Sequence, residues 1–182
     1  MLAKVYTRIL EKDIRYKETL SIVFSCLIID YIDSNLQMGA RNMNRFTEQE
    51  IEYLQSQRLG RLATVNDKGD LHVVPVGFRY NPEHDTIDIG GHNIVPSKKY
   101  RDALRHGRVA FVVDDVLPPW KPRMVEVRGT VEASSEGGQE INANFRSDIL
   151  RITPTYIVSL GVNDDVVQPG QERVNYYSRK VE

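Results

Sequence analysis

The sequence predicts a mainly β fold, a small antiparallel barrel with a few short helices, and three observations carry that reading. Met124–Glu132 (MVEVRGTVE) alternates, with Val125, Val127 and Val131 on one face and Glu126, Arg128, Thr130 and Glu132 on the other. That is the period of a half-buried antiparallel strand. Asn66-Asp67-Lys68-Gly69 and Asn81-Pro82-Glu83-His84-Asp85 are clusters of turn formers between apolar runs, as hairpins require. The remaining connections are short, which favours an antiparallel barrel over a parallel α/β sheet.

Taken in order, NRFTEQEIEYL opens a helix, with Thr47 as N-cap and Glu50 three residues on as its capping-box partner. Leu59–Val65, Leu71–Tyr80 and Thr86–Gly91 read as three consecutive strands. Pro75 donates no ladder hydrogen bond, so it marks an edge or a bulge in the second. In His92–Leu104 (HNIVPSKKYRDAL), Pro96 suits the first position of a helix and Gly107 its end. Ser97, Lys98 and Lys99 then fall in the first turn, where free backbone N–H groups and the helix dipole favour an anion. Lysines usually sit better at a helix C-terminus, so two of them here point to an anionic ligand; the competing reading is a solvated basic helix end. Val109–Val113 is an apolar run of strand length. Arg151–Leu160 supplies a sixth strand, with Pro154 marking an edge or bulge near its start.

The stretch from Phe46 to about Leu160 resembles the pyridoxamine-phosphate-oxidase-like (PPOX) proteins of the FMN-binding split-barrel superfamily. The residues that carry the match are FTEQEIEYL, LGRLATV, HVVPVGFRYNPEHDTIDIGGHN, SKKYRD, GRVAFVVDDV, PWKPRMVEVRGTVE and RITPTYIVSLG. Within that group the chain is most similar to the branch using the deazaflavin coenzyme F420, of the OxyR type. The resemblance implies a six-stranded antiparallel split β-barrel with Greek-key order, and a homodimer with two cofactor sites at the subunit interface. It also implies an oxidoreductase that moves a hydride between reduced F420 and a small conjugated or polycyclic substrate. FMN-dependent relatives carry basic residues at the positions matching Leu71 and Val76, and here both are apolar. The other half of that phosphate signature survives as Ser97-Lys98-Lys99. F420 is therefore the first reading. The alternative is FMN, in an oxidase or reductase of the wider superfamily or in a flavin-binding protein without turnover.

Under that resemblance, Val74, Pro75, Val76 and Gly77 line an apolar slot for the cofactor ring. Gly77, Gly90 and Gly91 would let a ring or ribityl chain approach the backbone, or else simply mark a barrel corner. His92 and Asn93 could hydrogen-bond ring or ribityl oxygens, and Ser97, Lys98 and Lys99 would hold the anionic tail. No catalytic residue is assigned, because the hydride belongs to the cofactor; the proton could come from Tyr80, Tyr100 or solvent. Trp120, in the LPPWKPR loop, would cover a flat ligand or anchor the core or a dimer interface.

Bulk properties narrow the remaining classes. With 182 residues the chain can build one sizeable core, and its net charge of −1 argues against nonspecific nucleic-acid binding. His72, His84 and His106 are scattered without cysteine partners, so no metal site is expected. Cys26 is the single cysteine, compatible with a reducing cytoplasmic location. Ser21–Ile32 is apolar but short and interrupted by Asp30, which suits neither a membrane span nor a signal peptide. Residues 1–42 read as a helical or misassigned extension, 43–161 as the cofactor-binding barrel, and 162–182 as a polar, poorly ordered tail.

Overall fold

A computed structural model describes residues 44–162 and 176–181 of the chain; the expectations for the extension 1–42 lie outside those residues. Helix α1 (Glu48–Ser56) opens with the expected capping box. The Glu50 N–H donates to Thr47 Oγ1 at 3.2 Å, and the Thr47 N–H donates to Glu50 Oε2 at 3.0 Å. Strands β1 (Leu59–Val65), β2 (Leu71–Asn81) and β3 (Thr86–Gly90) follow. The β1–β2 turn is held by Asn66, whose Oδ1 accepts from the N–H groups of Lys68 and Asp70, each at 2.9 Å. Helix α2 (Lys98–His106) leads into β4 (Arg108–Leu117), β5 (Lys121–Ser134), the short helix α3 (Gly138–Ile141) and β6 (Ile149–Leu160).

The strands lie in the order β3-β2-β1-β4-β5-β6, every pairing is antiparallel, and β3 also pairs with β6. Six strands therefore close into a barrel. The fourth returns beside the first by way of α2, which is a Greek-key connection. Residues on the inner face alternate along each strand, and Leu62, Phe78, Ile89, Phe111, Val125, Val127 and Ile152 fill the interior. Phe78 and Phe111 meet edge to face with ring centroids 5.0 Å apart.

The closing seam explains both the proline and a glycine in it. Along one edge, β6 pairs with β3 through Leu150, Arg151 and Ile152, then with a seventh strand, β7 (Tyr176–Lys180), from Tyr156 to Leu160. Pro154 sits at the change of partner, where its missing N–H costs no ladder bond. On the other edge Thr155 is bulged, since Gly129 of β5 pairs with Pro154 while Arg128 pairs with Tyr156. The chains are so close there that a Cβ on Gly129 would lie 2.2 Å from the carbonyl oxygen of Thr153.

Two sequence expectations need correction. The helix after β3 begins two residues later than expected, at Lys98: Ser97 is the N-cap, with φ −72° and ψ 151°, and Pro96 precedes it. Gly107 does end the helix, in the left-handed conformation at φ 66°. The C-terminal stretch is also more than a poorly ordered tail. It contains β7, and Arg179 of that strand donates to the fully buried Glu50 of α1, with Nη1 at 2.8 Å from Oε1. A polar sequence such as YYSRK has too little apolar periodicity to announce a strand; its place is fixed by the exposed edge of β6 and by Glu50.

Candidate functional site

The open part of the barrel wall is the first half of β2. Strand β1 borders β2 from Leu71 to Gly77, whereas β3 joins it only from Gly77 onward. Among the described residues, Leu71–Val76 thus has a free edge of backbone donors and acceptors. This is where Pro75, lacking a donor, is accommodated. Leu71 (82% exposed), Val73 (61%) and Pro75 point outward. By the same alternation Val76 is in the core at 4% exposure, and Val74 packs against the core. Of the residues expected to line a slot, Pro75 and the backbone therefore face outward, and the side chains of Val74 and Val76 face the other way.

Helix α2 brings cations to this edge. Arg105 and His106 at its C-terminal end meet Asp67 in the β1–β2 turn. A nine-residue helix rises about 12 Å from end to end, roughly four strand residues. Its first turn lies at the opposite end, and the helix packs against β1, β4 and β5. Ser97 caps that turn, its Oγ accepting from the Tyr100 N–H at 3.3 Å and donating to the Ile94 carbonyl at 2.5 Å. The serine hydroxyl is thus committed to the helix. Lys98 is paired with Asp102 at 2.7 Å. Lys99 is half-buried and has no ion-pair partner among the described residues. The first intrahelical bond runs from the Arg101 N–H to the Ser97 carbonyl, so the amides of Lys98 and Lys99 precede it and remain available to an anion.

The glycines behave differently from expectation. Gly77 and Gly90 are cross-strand partners, and the space above them is taken by the segment after β5. A Cβ at Gly77 would lie 3.0 Å from the Phe145 ring, and one at Gly90 would lie 2.9 Å from Ile141 Cδ1. The chain's own aromatic ring fills the place expected for a cofactor ring over this pair. A Cβ at Gly91 would meet only Ile94, at 3.8 Å, and the Gly91 carbonyl accepts from the Arg146 N–H at 3.3 Å. His92 is exposed but holds the same segment, with Nδ1 3.0 Å from the Asn144 carbonyl oxygen and its ring edge to face with Phe145 at 5.2 Å. Asn93 is exposed beside it. Trp120, 78% exposed at the tip of the β4–β5 hairpin, is not a core anchor of this subunit.

These features had no clear sequence signal. NANFRSD reads as a polar loop, and nothing in it shows that Phe145 returns to cover β2 and β3. Nor does spacing show that Asp88, fully buried, faces Arg151 across the seam, accepting at 2.8 and 3.1 Å, and takes a further bond from Asn81 at 2.7 Å. Of the two tyrosines considered as proton donors, Tyr80 is buried and its hydroxyl donates to Asp85 Oδ1 at 2.9 Å. Burial, together with the bond to Asp85, pushes the phenol above its ordinary value, which suits it poorly to giving up a proton. Tyr100 is half-buried against the core.

Comparison with known proteins fits this geometry. A sequence model of pyridoxamine 5'-phosphate oxidase matches residues 46–160. The 5a,11a-dehydrotetracycline/5a,11a-dehydrooxytetracycline reductase of Streptomyces rimosus subsp. rimosus is 42% identical over 123 residues, spanning 66% of this chain and 87% of the relative. The chain belongs to the pyridoxamine 5'-phosphate oxidase family. Solved structures share the barrel: Rv2991 of Mycobacterium tuberculosis matches with a TM-score of 0.51 at 20% identity, over 65% of this chain and 87% of that one. An F420 reductase matches with a TM-score of 0.47 at 24% identity, over 58% and 94%. Within this pyridoxamine 5'-phosphate oxidase barrel, the edge Leu71–Val76, the exposed His92 and Asn93, and the first turn of α2 are parts of the expected site that the fold leaves accessible, among the described residues. No helix among them is long and apolar enough to cross a membrane.

Proposed function

We propose that the protein is an F420-dependent reductase that delivers a hydride to a conjugated double bond of a small polycyclic substrate, acting as a homodimer in the cytoplasm. The observation that carries the reading is the 42% identity to a dehydrotetracycline reductase across 87% of that enzyme, joined to an open edge on β2. The reduced deazaflavin would supply the hydride when bound. The chain's own part is to bind and orient. The free edge of β2 offers backbone hydrogen bonds to a flat ring, Pro75 and Val73 offer apolar contact, and Lys99 with the first amides of α2 offers positive potential to an anionic tail. Leu71 and Val76 bring no charge to β2, which favours a cofactor whose anionic groups are held elsewhere than the FMN phosphate of basic-stranded relatives.

The second reading, FMN, is favoured by Ser97-Lys98-Lys99. It is weakened by the commitment of Ser97 to its helix and of Lys98 to Asp102. The dimer is supported by the outward apolar residues Leu71 and Val73, which continue across Val65, Ala63 and Ala110 of the neighbouring strands. An apolar face of this kind is costly in a monomer.

The test of activity is anaerobic mixing of the protein with reduced F420 and 5a,11a-dehydrotetracycline, following deazaflavin fluorescence. Oxidation of F420 that requires both protein and substrate is expected. Oxidation of neither reduced F420 nor reduced FMN by this substrate would remove the proposal. Light scattering should give twice the chain mass, and a Val73→Glu variant should shift toward the monomer; a monomeric wild type would contradict the assembly.

A further inference from the structure

A cavity of about 550 Å³ lies between α1, β2 and the segment after α3. It is within the size range of small-molecule sites, and none of Ser97, Lys98 or Lys99 lines it. We infer that it binds a flat, anionic organic ligand, an aromatic carboxylate or ionised enol, held by Arg58 and Arg79 against Phe145.

The lining carries the chemistry. Two arginines face the cavity and no aspartate or glutamate does. Arg58 is exposed and has no ion-pair partner among the described residues. Arg79 is paired with Glu140, and its Nη2 lies 3.8 Å from Asp88. Asp88 is shared, since it also accepts the two-pronged bond from Arg151 and a bond from Asn81. The Nε of Arg79 is buried and has no acceptor, an unusual state for a buried donor. The Arg79 side chain is about a quarter exposed, and a ligand carboxylate or enolate would meet the open side of its guanidinium, a fork suited to it.

The walls are shaped for something flat. Gly77 contributes no side chain, Phe145 contributes a ring, and Leu59, 59% exposed, contributes an apolar rim. The other polar groups are neutral amides, Gln55, Gln57 and Asn142, which can accept or donate to ring oxygens. Gly77 also borders the free edge of β2, so the cavity opens beside the place proposed for the cofactor. The inference does not rest on the cofactor's identity, because it concerns binding in the cofactor's absence.

The experiment uses the full chain without cofactor and titrates 2-naphthoate and the uncharged 2-naphthamide by calorimetry at low salt. The carboxylate should bind at least tenfold more tightly than the amide. Arg58→Ala should weaken it about tenfold, and Arg79→Lys, which keeps the charge near Glu140 and loses the planar fork, several-fold. Both variants should keep the wild-type circular dichroism. Lys99→Ala, on the other edge, should leave naphthoate binding unchanged. Equal binding of acid and amide, wild-type affinity in either arginine variant, an equal loss in Lys99→Ala, or no binding at millimolar concentration would each overturn the inference.

Discussion

Replacing Arg179 by Met isolates the contribution of the last strand to the barrel. Arg179 reaches from β7 to Glu50, a carboxylate with no solvent exposure, and also donates to the Arg45 carbonyl at 2.6 Å. Methionine keeps much of the aliphatic length and removes the charge, leaving the carboxylate with the Thr47 amide at 3.0 Å and the Ser159 hydroxyl. Breaking one side of a buried ion pair costs about 3–5 kcal/mol. Arg179 is itself about a third exposed, so solvent recovers part of this and roughly 2–4 kcal/mol is expected. For a barrel of this size that is a fall in Tm of about 8–16 °C. Far-UV circular dichroism is the suitable probe, because Trp120 is 78% exposed and reports poorly on the core.

The pH dependence has a definite sign. Burial raises the Glu50 pKa, but the bonds from Arg179, Thr47 and Ser159 outweigh it and hold the folded value below the ordinary one. A carboxylate with a depressed folded pKa contributes stability that is complete above the unfolded value, about 4.3. That contribution is lost as pH falls through the folded value. The gap between wild type and variant should therefore be widest near neutrality and narrow on acidification through the carboxylate range. A variant within 2 °C of wild type at pH 7, or a gap that widens toward pH 4, would refute the assignment of β7 as an integral part of the domain.

Two further substitutions test the seam and the site. Gly129→Ala places a Cβ 2.2 Å from the Thr153 carbonyl oxygen; with backbone on both sides unable to yield, a loss of about 2–4 kcal/mol in urea unfolding is expected. Lys99→Ala should weaken cofactor binding roughly ten- to a hundredfold with no change in Tm, since a bond to a charged group contributes about 1.5–3 kcal/mol. That loss should shrink as salt rises.

Much of the barrel was legible because its inner face has a strict period of two. Val125 and Val127, Ile87 and Ile89, and the turn formers at Asn66 and Asn81 each define an element without reference to any other. Pro154 was also informative, since a missing donor can be tolerated only where a ladder changes hands. The site was less legible. Which side chains of β2 point outward depends on where β3 joins it, and that register is set by a partner strand, not by LHVVPVG itself. Gly77 and Gly90 indicate close approach, yet the sequence does not say of what, and the answer is Phe145. The seventh strand and the Glu50–Arg179 pair join residues 129 positions apart, and the Asp88–Arg151 pair spans 63. Neither pairing leaves a local pattern.

The central claim is that the edge of β2 and the first turn of α2 hold a deazaflavin in preference to FMN. Equilibrium titration of the purified full chain with F420 and, separately, with FMN, followed by fluorescence, tests it directly. The account expects micromolar or tighter binding of F420, about −8 kcal/mol or better, at least tenfold tighter than FMN, and a loss of that affinity in Lys98→Ala/Lys99→Ala. FMN binding more tightly than F420, or an unaltered F420 affinity in the double variant, would contradict it.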